Sequence, residues 1–127
     1  MAADVLAEDF QAITAGGLNG EVGEAEGWLY VLIREYLLPS GYNRQTTELL
    51  LKLPLSYPNG RPDMFWTPPD LLLADGRVPT SADSIESFLG RQWRRFSWHP
   101  QSWSPGRDSL KTYLEFVNLG LSKARGK

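Results

Sequence analysis

Apolar positions recur along this chain at two different periods, and each change of period marks an element. Between Asp4 and Thr14, Val5, Leu6, Phe10 and Ile13 fall near helical spacing with Glu8 and Asp9 opposite, which predicts a short amphipathic helix. Gly16-Gly17 stops it, and the Gly-, Glu- and Asn-rich stretch from Leu18 to Gly27 reads as a flexible connection. From Trp28 to Leu38 both alternating sets are largely apolar. Leu29, Val31, Ile33 and Leu37 lie on one side and Trp28, Tyr30, Leu32 and Tyr36 on the other, as in a strand covered on both faces. After the turn signal Pro39-Ser40-Gly41-Tyr42-Asn43, Thr46 to Leu53 alternates, with Thr47, Leu49, Leu51 and Leu53 on one face and Glu48 and Lys52 on the other.

A second turn, Tyr57 to Pro62, leads to a short strand from Asp63 to Thr67 that Pro68-Pro69 ends, because proline cannot donate to a sheet ladder. Three strands with short turns predict an antiparallel meander. Residues 70–107 are interrupted by Gly76, Pro79, Gly90, Pro100, Pro105 and Gly106, with Ser84 to Leu89 long enough for a helical turn or two. They read as a long ordered loop anchored by Phe88, Trp93, Phe96, Trp98 and Trp103. Asp108 or Ser109 then caps a helix whose Leu110, Tyr113, Leu114, Val117 and Leu121 form one apolar stripe, and Lys123, Arg125 and Lys127 suit its C-terminal end. The order helix, antiparallel meander, long loop, helix is α+β, in one domain of 127 residues with its core over about 28–121.

Composition narrows the chemistry. With no cysteine there are no disulfides, thiolate ligands or thiol nucleophiles, and a single histidine, His99, is too little for a zinc site; no metal and no cofactor is expected. A formal net charge of −2 weighs against binding nucleic acid or anionic lipid by bulk attraction. The first residues carry neither a basic region nor a long apolar run, so no membrane segment is read there, and the expected location is the cytoplasm.

Three landmarks carry a family resemblance: Leu53-Pro54 followed by Tyr57-Pro58, Pro62 and Met64-Phe65-Trp66; Trp103-Ser104-Pro105 running into the last helix; and the segment between them. Their order is similar to that of the ubiquitin-conjugating (E2, UBC) fold. The fuller set, Leu38 to Asn43, Tyr57-Pro58, Pro62 to Trp66, Gly90-Arg91, Trp93, Arg95-Phe96-Ser97, His99, Trp103 and Pro105-Gly106, resembles the bacterial E2-like proteins called prokaryotic E2 family E. The resemblance implies an E2-like component of a bacterial ubiquitin-like conjugation system. Its implied partners are a ubiquitin-like or multi-ubiquitin-domain protein, an E1-like adenylating enzyme and, in the same pathway, a JAB-type metalloprotease. It also implies that the first helix, with Glu8 and Asp9, and the Pro39 to Asn43 turn meet the E1-like protein; because the Gly-rich connection separates this helix from the meander, removing residues 1–15 is expected to weaken that complex without unfolding the rest. E2 enzymes carry ubiquitin on a cysteine, so this chain by itself forms no such thioester. His99-Pro100-Gln101 differs in spacing from the E2 His-Pro-Asn, since Trp103 follows almost at once.

The segment from Arg91 to Trp103 holds the one imidazole, three arginines and three tryptophans. If it is extended, Arg95, Ser97 and His99 project to one side. Two mechanisms stand open. In a transferase the nucleophile is an oxygen or an imidazole: His99 activates Ser97 to carry an ester in place of the missing thioester, or the imidazole itself serves, and Arg95 holds the carboxylate of a ubiquitin-like tail. In a non-catalytic module, Arg91, Trp93, Arg95 and Trp103 form a binding surface for the ubiquitin-like protein. The catalytic version requires the three side chains to converge beside the start of the last helix with Trp93 and Trp103 beneath, and no residue that would orient His99 is identifiable. A plainer account makes His99 and Ser97 packed loop residues and the tryptophans anchors. Arginines interleaved with aromatics also suit a nucleic-acid module, which the net charge disfavours.

Overall fold

Alternation and helical spacing translate into eight elements in a computed structural model that describes residues 2–15 and 17–125. They are α1 (Ala2–Thr14), β1 (Gly20–Ala25), β2 (Trp28–Leu37), β3 (Thr46–Leu53), β4 (Phe65–Thr67), β5 (Ser84–Phe88), β6 (Arg91–Phe96) and α2 (Leu110–Lys123). The strands form one antiparallel sheet in the order β1-β2-β3-β4-β6-β5. β1 to β4 run as a meander, and β6 returns to pair with β4, leaving β5 outermost.

Two expected loops are strands. The Gly-rich 18–27 stretch contains β1, paired with β2 from Gly20↔Ile33 to Ala25↔Trp28. Gly23 lets the Tyr30 ring lie close over β1, since a Cβ would meet it at 2.9 Å. The long 70–107 connection contains the hairpin β5-β6, and Ser84 to Phe88 is extended, not helical. Both hairpins turn on two residues with positive φ, Glu26-Gly27 (55° and 86°) and Leu89-Gly90 (55° and 73°). Two consecutive positive φ values match the twist of paired strands, and glycine at the second position relieves half of the strain. The Glu26 carboxylate accepts from the Leu89 amide at 3.1 Å, so the two turns are tied together.

The main core lies on one face of the sheet. Leu29, Val31 and Ile33 of β2 and Leu49, Leu51 and Leu53 of β3 pack with Leu110, Val117 and Leu121 of α2 and with Leu6 and Ile13 of α1. The register expected for β3 is the one observed, with Thr47 also buried and Glu48 and Lys52 on the opposite face. β2 departs from its expected alternation: the ladder shifts between Ile33 and Tyr36, which turns Tyr36 into the core and leaves Leu37 71% exposed. Phenolic hydroxyls tie the core to backbone: Tyr42 donates to the Leu121 carbonyl at 2.7 Å and Tyr113 to that of Met64 at 2.6 Å. α1 is part of this core, with Leu6 and Ile13 buried and the Tyr57 hydroxyl donating to Asp9. Removing residues 1–15 therefore strips core side chains, contrary to the expectation of a separable helix.

The other face carries no helix among the described residues. Leu32, Leu50, Trp66, Phe88 and Trp93 cover it with a second cluster. No described helix is long and apolar enough to cross a membrane.

Candidate functional site

The segment that carries the candidate chemistry begins in β6 and runs past its end at Phe96. Within β6 the alternation holds: Arg94 and Phe96 point under the helices, and Trp93 and Arg95 point to the helix-free face. Arg94 is buried and spends its donors on carbonyls, giving to Ala82 at 2.7 Å and Pro69 at 2.9 Å. Arg95 Nε donates to Ser97 Oγ at 3.0 Å and its Nη1 to Glu86 Oε2 at 2.6 Å, while the other oxygen of Glu86 accepts from the Trp66 indole at 3.0 Å. Arg95 and Ser97 are thus together as expected, but the guanidinium is committed to Glu86 rather than open to a carboxylate tail.

His99 is elsewhere. Its Nδ1 lies 2.7 Å from Asp63 Oδ1, and the ring is more than half exposed. Because a carboxylate accepts, Nδ1 carries the proton and the neutral ring keeps its Nε2 lone pair for solvent or a partner. Among the described residues no hydrogen bond joins His99 to Ser97, so the expected convergence of Arg95, Ser97 and His99 does not form. β6 ends at Phe96, and the alternation that would align position 99 with 95 and 97 ends with it. His99 instead borders a groove of about 430 Å³ with Phe116, Leu119 and Lys123, along the second half of α2 rather than its start. Gly120 lets the Phe65 ring pack against α2, since a Cβ there would sit 3.1 Å from it.

Asp63 supplies the orienting group that the sequence alone did not reveal. The signal was present in the pairing: Phe65↔Phe96 and Trp66↔Arg95 set a register which, continued outward, brings residue 63 beside 98 and 99, and the Met64 amide donates to the Trp98 carbonyl at 3.2 Å. The tryptophans support separate regions. Trp93 is fully buried in the helix-free cluster with its indole donating to Phe88 at 2.9 Å, whereas Trp103 donates to Pro58 at 2.7 Å and packs against Tyr57 and Tyr113. Arg91 lies 4.1 Å from the centre of the Trp93 ring and makes a two-point pair with Glu48 at 2.6 and 3.1 Å. That hydrogen bonding holds its guanidinium above the ordinary value.

A cavity of about 350 Å³ opens on the helix-free face between these groups, bordered by Trp28, Lys52, Arg61, Asp63, Trp66 and Glu86. Arg61 donates to the Pro100 carbonyl at 2.9 Å, which fixes the chain beyond His99 to the cavity wall. No cluster of ligating side chains suited to a metal ion occurs among the described residues. The arrangement offers an oriented imidazole, paired arginines and an aromatic cavity, without a hydroxyl placed against the imidazole.

Comparison with curated proteins gave no significant match, and comparison with solved structures gave none. The family model of prokaryotic E2 family E matches residues 5–124. That span takes in both helices and all six strands apart from the first turn of α1, and includes Asp63, Arg95, Ser97 and His99. The chain belongs to prokaryotic E2 family E.

Proposed function

We propose that this protein is a cysteine-free, E2-like binding module of a bacterial ubiquitin-like conjugation system, positioning a ubiquitin-like or multi-ubiquitin-domain protein beside an E1-like adenylating enzyme. One observation carries the choice of a module over an oxyester transferase: Ser97 Oγ accepts from Arg95 while His99 is bonded to Asp63, so the one imidazole has no hydroxyl to activate among the described residues. A JAB-type metalloprotease of the same pathway is a further partner under this reading. Membership in the E2-like family supports the pathway, and the absence of cysteine from the sequence supports the non-catalytic role.

The Asp63–His99 pair favours a second reading, a transferase that carries the acyl group on the imidazole itself. One experiment separates the two. The protein is incubated with the E1-like protein, ATP and the ubiquitin-like protein, then followed by calorimetry and intact mass. The expected result is a complex without added mass. A hydroxylamine-labile adduct overturns the module in favour of the transferase, and no complex at all removes the binding role.

A further inference from the structure

The charges around the 350 Å³ cavity on the helix-free face do not balance. Its two carboxylates are engaged: Glu86 by Trp66 and Arg95, and Asp63 by His99. Its two cations make no ion pair among the described residues. Lys52 Nζ lies 5.1, 4.8 and 4.8 Å from the ring centres of Trp28, Trp66 and Phe88, and makes no ion pair or hydrogen bond to an oxygen among the described residues. Arg61 meets a backbone carbonyl and no carboxylate among those residues. Aromatic faces attract an ammonium through their quadrupoles but accept none of its three N–H donors in the way an oxygen does. Lys52 is therefore fixed in place, partly buried, with its hydrogen-bonding capacity unspent at the wall of an opening.

We propose that this cavity is a docking site for an acidic side chain of a partner protein, a Glu or Asp on an otherwise apolar segment, with Lys52 and Arg61 receiving its carboxylate and Trp28 and Trp66 receiving its apolar flanks. Charge complementarity selects the occupant. Two cations without an ion-pair partner suit a monoanion, while Glu86 and Asp63 in the same wall repel a dianion such as a phosphate group more than a monoanion. Trp28, 39% exposed, offers apolar surface suited to a peptide rather than a free ion.

The proposal rests on the protein-binding reading, and a test with free peptides keeps the two separable, because it uses neither the ubiquitin-like protein nor the E1-like enzyme. The full chain is titrated with a short peptide, acetylated and amidated so that it has no terminal charge, carrying one Glu between Leu and Val residues. Indole N–H resonances of Trp28 and Trp66 report binding. The expected result is a saturable shift of both, at least about tenfold weaker for the Gln peptide, the size of losing one charge-assisted contact. Lys52→Met and Arg61→Gln should each weaken the Glu peptide severalfold and leave the Gln peptide unchanged; Arg61 is exposed, so its variant keeps the test valid if Lys52→Met fails to fold. Equal affinity for the Glu and Gln peptides, a phosphoserine peptide that binds tighter than the Glu peptide, or no shift of either indole would overturn the proposal.

Discussion

On the face of the sheet beneath the helices, Leu49, Leu51 and Leu53 meet Leu110 and Val117, and the polar groups that reach that core, tyrosine hydroxyls and the Arg94 guanidinium among them, bond mainly to backbone carbonyls. On the opposite face Leu50, Trp66 and Trp93 are buried beside Lys52, Glu86 and Arg95, and no helix among the described residues covers them. The first face is ordered by apolar area removed from water, which is non-directional and tolerates many sequences. The second is ordered by directional bonds from indoles and guanidinium groups, each of which fixes one neighbour. Apolar burial is concentrated under the helices, and the proposed docking site lies on the other face.

The largest expected effect is alkaline. Burial pushes the Tyr36 phenol up to about 12 and raises Tyr42, Tyr57 and Tyr113 further, the last two also through nearby carboxylates. All four lie in the helix-side core. A folded-state value raised above the unfolded one gives stability that is fully present below the unfolded value, near pH 10, and is lost as pH rises through the folded value. The fold should therefore weaken from about pH 10 upward, with these four phenols ionising together with unfolding. Tyr30, on the helix-free side and raised by desolvation and then by its bond to Glu21, should ionise before them. Phenolate absorbance followed beside circular dichroism checks this. Five phenols ionising as one exposed set would break the distinction between the faces.

A smaller effect separates neighbouring residues of β3. Leu51→Ala should cost about 2–5 kcal/mol by denaturant unfolding, the range for emptying a well-packed site. Lys52→Met, which keeps the methylene cover on the opposite face, should change stability by less than about 1 kcal/mol. Similar losses for both would mean that the helix-free face is as structural as the core.

The smallest concerns Asp63. Its pair with His99 is largely exposed, so Asp63→Ala should alter stability by less than about 1 kcal/mol. It should nonetheless release the imidazole from its Nδ1-protonated form, which ring nitrogen chemical shifts detect. An unchanged tautomer would show that Asp63 does not orient the ring.

The sequence made the helix-side architecture legible because burial writes itself as periodicity. Thr47, Leu49, Leu51 and Leu53 repeat at two, Leu110, Leu114, Val117 and Leu121 at helical spacing, and both sets lie in the core as read. β1 and the β5-β6 hairpin were hidden because their burial is partial and their turns, Glu26-Gly27 and Leu89-Gly90, lack the Asn or Asp that usually announces two positive φ values. At the candidate site, strand alternation correctly joined Arg95 to Ser97 and failed at His99, three residues beyond the last rung at Phe96. Asp63 escaped notice because its partner is distant in the chain and its place depends on a register that no local pattern encodes.

β4 is three residues long, with one rung to β3 at Leu50↔Trp66 and three to β6. Among the described residues it is the one strand, and so the seam, that joins the β1-β2-β3 ladder to the β5-β6 hairpin, whose other ties are side-chain bonds such as Glu26 to the Leu89 amide and Arg91 to Glu48. Amide exchange in such a sheet divides where the fewest rungs must break, so the seam separates two cooperative units. Asp63 lies at one end of that seam and Arg95 within it, and an opening of β4 would carry apart the groups that line the cavity while leaving both ladders intact. Slow exchange at Phe65 to Thr67 is thus the measure of how long the cavity keeps its shape.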